Sequence, residues 1–426
     1  MAIIPLPTWS DAVSKKKYPS IPTNCKAEIA IVGGGLVGIL SAYMLLKDGH
    51  AVTILEAQPN IGTGVTMYTT AFLTKSIDTS LKDMVAIYGA RNARMVWESH
   101  QSAIELIASI VKTEKIDCEF KRVSNISYAN TSEEFKGLEE EYEVIQKLGF
   151  SASLKKANRP GFKNAGGLEL KDQAKFHPIK FLNALTDCVL SMGGNIYTNA
   201  EVRKITETEN KVVITTANKA KVIAEQVIVC TYQPIKSLST FAKKGQYQTY
   251  VFEASIPKGL IAEGLYEDDA NPYHYMRVDT GSGTTDRMII GGEDHRVEIK
   301  MDPEKNFAVL EEYLQSILQG AKYKINRKWF GLILEPTDGL PLIGRSTTRQ
   351  LVATGFSGNG MTYSAIASTV FRDIISRRKN SWIKLYDPTR LPTLKQLAFK
   401  GYDYGEEFIG GAAKNIFHEP KPNKKK

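Results

Sequence analysis

The strongest constraint in the sequence is Gly33-Gly34-Gly35-Leu36-Val37-Gly38, a GxGxxG spacing set between two apolar segments. Glu28–Val32 before it reads as a strand, Gly35–Lys47 as a helix with Gly49 as its C-cap, and Ala51–Leu55 as the next strand. In such a βαβ unit Gly33 allows a tight turn, Gly35 lets a pyrophosphate approach the helix N-terminus, and Gly38 lets the helix pack closely on the strand. Glu56 ends the next strand, where a carboxylate binds ribose hydroxyls and repels a 2′-phosphate. NADP is disfavoured, while NAD and FAD both stay open. The bland alternative is a glycine turn that holds no ligand.

The same glycines bear on a second reading. Ile29 to Leu46 is 18 residues without a charge, long enough for a membrane helix. Gly33, Gly34, Gly35 and Gly38 near its start suit a strand–turn–helix instead, so no transmembrane segment is expected. With 426 residues, 42% apolar and 24% charged, the chain can build two cores. The first 25 residues lack a signal-peptide core, and Cys25, Cys118, Cys188 and Cys230 have no paired spacing. A cytoplasmic protein with reduced thiols and no metal site is expected. The formal charge of +9 comes largely from Lys15–Lys17 and the KPNKKK tail, without the interleaved aromatics of a nucleic-acid groove, so no nucleic-acid partner is expected.

Further along, Leu81–Thr113 and Ser132–Leu148 read as helices, the second with Thr131 and Glu134 as a capping box. Glu201–Val213 and Val222–Val229 read as strands, and Asn271–Arg277 with Arg287–Gly291 as another sheet. Leu351–Thr354 is predicted as a strand, followed by a glycine-rich turn and a helix over Thr362–Ile375.

Two segments favour FAD over NAD. IGTGVTMYTTAFLT follows Glu56 and supplies the hydroxyls of Thr66, Thr69 and Thr70. LVATGFSGNGMTYSAIAS places Gly355, Gly358 and Gly360 before a second helix N-terminus, whose positive end suits the pyrimidine edge of a reduced flavin.

IAIVGGGLVG with Glu56, TTAFLT, WFGLILEPTDGLPLIG and VATGFSGNGMTYSAIAS together resemble the D-amino acid oxidase family of flavoproteins over most of Lys26–Pro392. GGLELKDQAKFHPIKFLNAL and LYDPTR are most similar to γ-glutamylputrescine oxidase-like members and to those with a C-terminal Rieske domain. A Rieske cluster needs two Cys and two His, yet no cysteine follows Cys230 and only His418 follows His295. The resemblance implies an α/β fold: a Rossmann-type FAD-binding domain and an α+β substrate domain whose antiparallel sheet covers the flavin. The expected boundaries are 26–85, 165–235 and 326–392 for FAD, and 86–164 and 236–325 for substrate. Residues 1–25 are an N-terminal arm and 393–426 a basic tail.

By the same resemblance, Gly33, Gly35, Leu36, Val37, Gly38, Glu56 and Ala57 hold ADP, and Val202 lies at adenine. Thr69 and Thr70 approach the flavin, and Gly355, Gly358, Asn359, Gly360, Met361 and Thr362 cover its pyrimidine edge. Tyr275 matches a substrate-contacting tyrosine; its alternative is a tyrosine packed in the sheet with its hydroxyl satisfied. The family's amino-acid oxidases clamp the substrate carboxylate with an arginine before the DGxPxIG motif, and Ile333 stands in that place. Arg277 is a substitute carboxylate partner, or else an exposed sheet arginine. His177 and His295 are acid–base candidates without a visible partner, and Glu293, Asp294, Glu335 and Asp338 are expected in structural turns.

The expected reaction is FAD-dependent oxidation of the C–N bond of an amine or amino-acid-like substrate, with oxygen or another acceptor taking the electrons. Two rivals stand beside it. One is a flavin dehydrogenase of a hydroxy acid or amine that feeds a quinone or protein carrier, and the other is a non-catalytic scaffold.

Overall fold

The computed structural model describes residues 6–396 except 157–161, 233–244, 269, 271, 300, 337, 394 and 395. Asn271, the start of one expected strand, and nearly all of the expected tail at 393–426 lie outside the described residues. Among the described residues the strands form two sheets.

The first sheet runs β16 (Leu342–Arg345), β17 (Gln350–Thr354), β10 (Lys221–Val229), β1 (Asn24–Val32), β2 (Val52–Leu55) and β7 (Asn195–Tyr197). β17, β10, β1, β2 and β7 are mutually parallel. A hairpin of β8 (Val202–Glu207) and β9 (Val212–Thr216) joins it through β10. The single strand expected over Glu201–Val213 is thus two, turned where Thr208 N donates to Lys211 O. From Ile29 to Val32 β1 is buried on both faces, as parallel strands are: Ile29 and Ile31 pack on the helical side, Ala30 and Val32 on the hairpin side. The 18-residue uncharged run therefore becomes a buried strand and helix, and no helix among the described residues is long and apolar enough to cross a membrane.

On the helical side lie α1 (Leu36–Lys47), α3 (Ala90–Thr113), α5 (Pro178–Ser191), α7 (Gly360–Ile375) and the short α8 (Trp382–Leu385), sharing one core with Trp97, Phe181, Val370 and Tyr386. The helix expected over Leu81–Thr113 breaks into α2 (Leu81–Tyr88) and α3 at Gly89, whose φ of +78° favours glycine. α4 (Ser132–Lys147) begins as expected, with Thr131 Oγ1 accepting from Glu134 N at 3.2 Å. Its glutamate reaches back one residue further than a capping box, to Asn130 N.

The second sheet runs β15 (Lys324–Leu334), β11 (Gln246–Pro257), β14 (Thr285–Arg296), β13 (His274–Asp279), β12 (Gly264–Asp268), β4 (Lys121–Ala129), β6 (Gly166–Lys175) and β3 (Phe72–Leu73), with β5 (Ser153–Lys156) beside β6. One face buries Tyr250, Phe252, Met276 and Met288 under α6 (Pro303–Leu318). Period-two alternation sends Thr249, Tyr275 and Ile289 to the other face, over the first sheet's end. β3, β6 and all of β15 but its first two residues fall within 26–85, 165–235 and 326–392 and belong to the second sheet, and α3, within 86–164, packs on α7.

Candidate active site

A cavity of about 560 Å³, within the usual size of ligand sites, opens at the carboxyl ends of the parallel strands. Gly33 follows β1, Glu56 follows β2, Thr231 follows β10 and Gly355 follows β17, and all four line it. Open α/β sheets bind ligands at such ends.

Local geometry supports the expected ADP cradle. Gly33 has φ +114°, and a Cβ there would lie 2.8 Å from Cys230 O. Gly35 ends the turn without a side chain to cap α1, so the positive helix end faces the cavity. Gly38 does not line the cavity; its Cβ would sit 2.0 Å from Gly33 O, which is the close packing expected of it. Glu56 accepts from Gly34 N at 2.6 Å through Oε2 and from Gln58 N at 2.7 Å through Oε1. Each carboxylate oxygen keeps further lone pairs for a ribose. Leu36, Val37, Ala57 and Val202 also line the cavity.

The opposite end is formed by α7. Asn359 caps it without a side-chain hydrogen bond to the helix, its Oδ1 accepting from Asp78 N at 3.4 Å instead, and Gly355, Gly358, Asn359, Gly360 and Met361 line the wall. Thr362 does not: it is 2% exposed and turns back to donate to Asn359 O at 3.2 Å. Asp78 accepts from Gly358 N at 3.0 Å and holds this turn from the side.

Thr69 and Thr70 line the floor on a segment gripped from outside. Trp329 Nε1 donates to Tyr68 O at 3.1 Å, Trp9 Nε1 to Thr69 O at 2.6 Å, and Arg277 Nη1 to Thr70 O at 3.1 Å. Ala71, next in line, has φ +60°, an unusual conformation for a residue with a side chain. The expected N-terminal arm is thus part of the site's frame, since Trp9 has no exposure.

Tyr275 lines the roof, with Oη 2.9 Å from Thr249 Oγ1 and its ring edge-on to Phe72 at 6.1 Å. Arg277 corrects both readings made of it. It neither lines the cavity nor is exposed, at 1%, and it donates to Asp279 Oδ1 and to the main-chain oxygens of Thr70, Ala71 and Phe176. It shares a face of β13 with Tyr275, but two residues advance roughly 7 Å along a strand, beyond the cavity's edge.

His177 is the N-cap of α5 and packs on the Trp9 ring at 4.7 Å; burial pushes its pKa down to about 4. His295 stacks on Tyr250, and burial lowers its pKa too. Neither lines the cavity. Asp338 is clamped by Arg390 through both oxygens, and Glu293 faces His274 at 3.2 Å. Glu335 donates its amide to Gly245 O. Asp294 is different: it faces the hydroxyls of Thr249 and Tyr273, and burial with the nearby charge of Asp78 raises its pKa to about 7. Asp78, Glu267, Tyr273 and Thr249 were not singled out in the sequence; only GGEDHR pointed near them.

Two helix N-termini at the carboxyl ends of a parallel sheet, closed over by a mainly antiparallel roof, define the class of protein that holds a nucleotide cofactor between two sheets. The family model described as "FAD dependent oxidoreductase" (DAO) matches residues 28–373, so the chain belongs to that family. Its cofactor is FAD, and it is an oxidoreductase of the amine and amino-acid oxidase type. YhfW of Bacillus subtilis (strain 168), whose name carries the Rieske 2Fe-2S designation, is 27% identical over 410 residues, 95% of this chain and 80% of that protein. Gamma-glutamylputrescine oxidoreductase of Escherichia coli (strain K12) is 25% identical over 385 residues, covering 85% and 88%. Glycine oxidase from Geobacillus kaustophilus shares the fold with TM-score 0.72 at 19% identity, covering 86% of this chain and 99% of that one. L-proline dehydrogenase from P. horikoshii also scores 0.72 at 19% identity, covering 86% and 98%.

Proposed function

We propose that this protein oxidises the C–N bond of an amine that has no carboxylate beside the reacting carbon. The observation that carries this is the charge of the cavity wall. Among the described lining residues there is no Lys, Arg or His, whereas Asp78 and Glu267 are both present. Ile333 lines the wall near the Thr249–Gly331 pairing of β11 and β15, and an aliphatic side chain cannot hold a carboxylate. A cationic amine suits such a wall and a zwitterion's carboxylate does not.

In this reading the α1 end with Gly33, Gly35, Leu36 and Val37 holds the pyrophosphate, Glu56 and Ala57 the ribose, and Val202 the adenine. Thr69, Thr70 and the α7 end from Gly355 to Met361 hold the ring system. When bound, FAD would supply the hydride acceptor for the carbon next to the amine nitrogen, and water would hydrolyse the imine so formed. The chain's own residues orient: Tyr275 and Phe72 line the roof of the cavity, and Gly331 lets Thr249 pack against β15 beside it. Oxygen or another acceptor would then take the electrons.

Anaerobic flavin bleaching tests this reading, with amines and acylated polyamines compared against simple D- and L-amino acids. Amines are expected to bleach. Rapid bleaching by an α-amino acid refutes the reading. Peroxide formed in air by the bleaching substrate separates an oxidase from a dehydrogenase, for which bleaching persists in air.

A further inference from the structure

The roof carries a polar chain leading away from the cavity. Tyr275 Oη on β13 meets Thr249 Oγ1 on β11 at 2.9 Å. β11 pairs regularly with β14 up to Tyr250↔Gly292, then shifts register, so that Glu293 and Asp294 both lie opposite Thr249 before Gln248↔His295. Such a bulge re-aims side chains. Glu293 takes φ +55° and points to His274, while the Asp294 carboxyl turns toward the hydroxyls of Thr249 and Tyr273. Two glycines clear the space: a Cβ at Gly291 would lie 2.4 Å from the Tyr275 ring, and one at Gly331 would lie 2.5 Å from Thr249 Cγ2. Asp294 Oδ1 is buried with no hydrogen-bond partner among the described residues. An unsatisfied buried carboxyl oxygen is costly and calls for a reason.

Amine oxidation supplies one. A substrate that arrives as an ammonium must lose a proton before the nitrogen lone pair can assist departure of the neighbouring hydride. We propose that Asp294 is the terminal acceptor of that proton, reached through Tyr275 and Thr249; the inference rests on the amine reading above. The substrate N–H bond breaks and its proton joins the Tyr275 oxygen as the phenol's own proton passes to Thr249 Oγ1. The threonine's proton passes in turn to the Asp294 carboxylate. A positive ammonium and a negative carboxylate become a neutral amine and a neutral acid, which leaves no separated charge in a low-dielectric site. Tyr275 and Thr249 both line the cavity, and Asp294 behind them acts through them.

The groups facing Asp294 set its poise. Burial opposes ionisation, as does Asp78 on the segment before α2; the hydroxyls of Thr249 on β11 and of Tyr273, just before β13, favour it, and so does His274 on β13. Tyr275 on β13 is a further neighbour through Thr249. The carboxyl at about 7 can therefore both take and return a proton at neutral pH.

The test is the pH profile of anaerobic bleaching by an amine that reduces the wild type. The wild-type rate is expected to fall as the pH drops through about 7. Asp294→Asn loses that inflection and bleaches more slowly by ~100-fold or more at pH 7. Thr249→Val reproduces the loss and Thr249→Ser restores the wild-type profile, which a merely structural role would not do. A second readout needs no turnover: infrared spectra on acidification show a carboxylic C=O band appearing near pH 7 in the wild type and missing from Asp294→Asn. If Asp294→Asn does not hold flavin, the Thr249 pair and the wild-type infrared titration carry the test. Wild-type profiles in the variants, or an infrared band only at ordinary carboxylate pH, overturn the relay alone. Failure of every amine to bleach the wild type overturns the amine reading, and the relay with it.

Discussion

The indole nitrogen of Trp9 donates to the main-chain oxygen of Thr69 at 2.6 Å, which ties the N-terminal 3-10 turn to the floor of the cavity. Trp9 also lies against the guanidinium of Arg277, 5.1 Å from its ring centre, and Arg277 holds the next carbonyl along. Trp9→Phe is expected to cost about 1 kcal/mol for the lost hydrogen bond, and Trp9→Ala about 3–5 kcal/mol through the cavity it leaves. Both should weaken FAD binding, read by flavin fluorescence alongside thermal unfolding. An unchanged flavin affinity in Trp9→Ala would show that the arm does not hold the Thr69 segment.

Gly38→Ala places a Cβ 2.0 Å from Gly33 O, between backbone segments that cannot yield. A loss of about 3 kcal/mol is expected, together with loss of bound flavin. Gly64→Ala meets nothing within 4 Å and serves as the control, with near-wild-type melting. Denaturation midpoints of the two variants decide it.

Glu56 receives two backbone amides and faces the cavity. Removing a charge-assisted acceptor costs about 1.5–3 kcal/mol, so Glu56→Ala is expected to raise the Kd for FAD roughly tenfold or more. Titration calorimetry of the apoprotein with FAD measures this; equal affinity would remove Glu56 from the ribose site.

His274 lies between Asp268 Oδ2 at 3.1 Å and Glu293 Oε1 at 3.2 Å, stacked on Tyr313. Burial opposes its charge, but the two carboxylates outweigh burial and raise its pKa to about 9 from 6.5. The folded state therefore binds the proton more tightly than the unfolded chain. The stabilisation, on the order of 2–3 kcal/mol, is fully present below pH 6.5 and is lost as the pH rises through about 9. Denaturant midpoints measured across that range should fall in the wild type, and His274→Gln should flatten this part of the curve. A wild-type midpoint that holds steady to pH 10 contradicts the assignment.

Ile333→Arg adds a guanidinium to the cavity wall beside β11. It should speed bleaching by simple α-amino acids, whose carboxylate it can pair bidentately, and slow bleaching by cationic amines. Stopped-flow comparison of the two substrate classes checks both directions.

Local sequence carried the cofactor half of this protein. The turn from Gly33 to Gly38, Glu56 after β2 and the Gly355–Gly360 turn each write their job into neighbouring residues, because a helix N-terminus and the glycines that open it are adjacent in the chain. The roof was less legible. Tyr275 lines the cavity with its hydroxyl met by Thr249, so both sequence expectations for it stand, whereas Arg277, two residues on, is neither exposed nor cavity-facing but locked to Asp279 and three carbonyls.

By itself, then, the sequence determined that a parallel sheet would present a dinucleotide at its carboxyl ends, and that Ile333 would stand where a carboxylate clamp is expected. Only the tertiary structure decided what surrounds the reacting end. Trp9, Trp329 and Arg277 converge on one loop from three distant segments, and a single-residue bulge in β14 brings Asp294 behind Thr249. The physical reason is range: turn and capping signals act over a few residues, whereas strand register and buried hydrogen bonds join residues hundreds of positions apart.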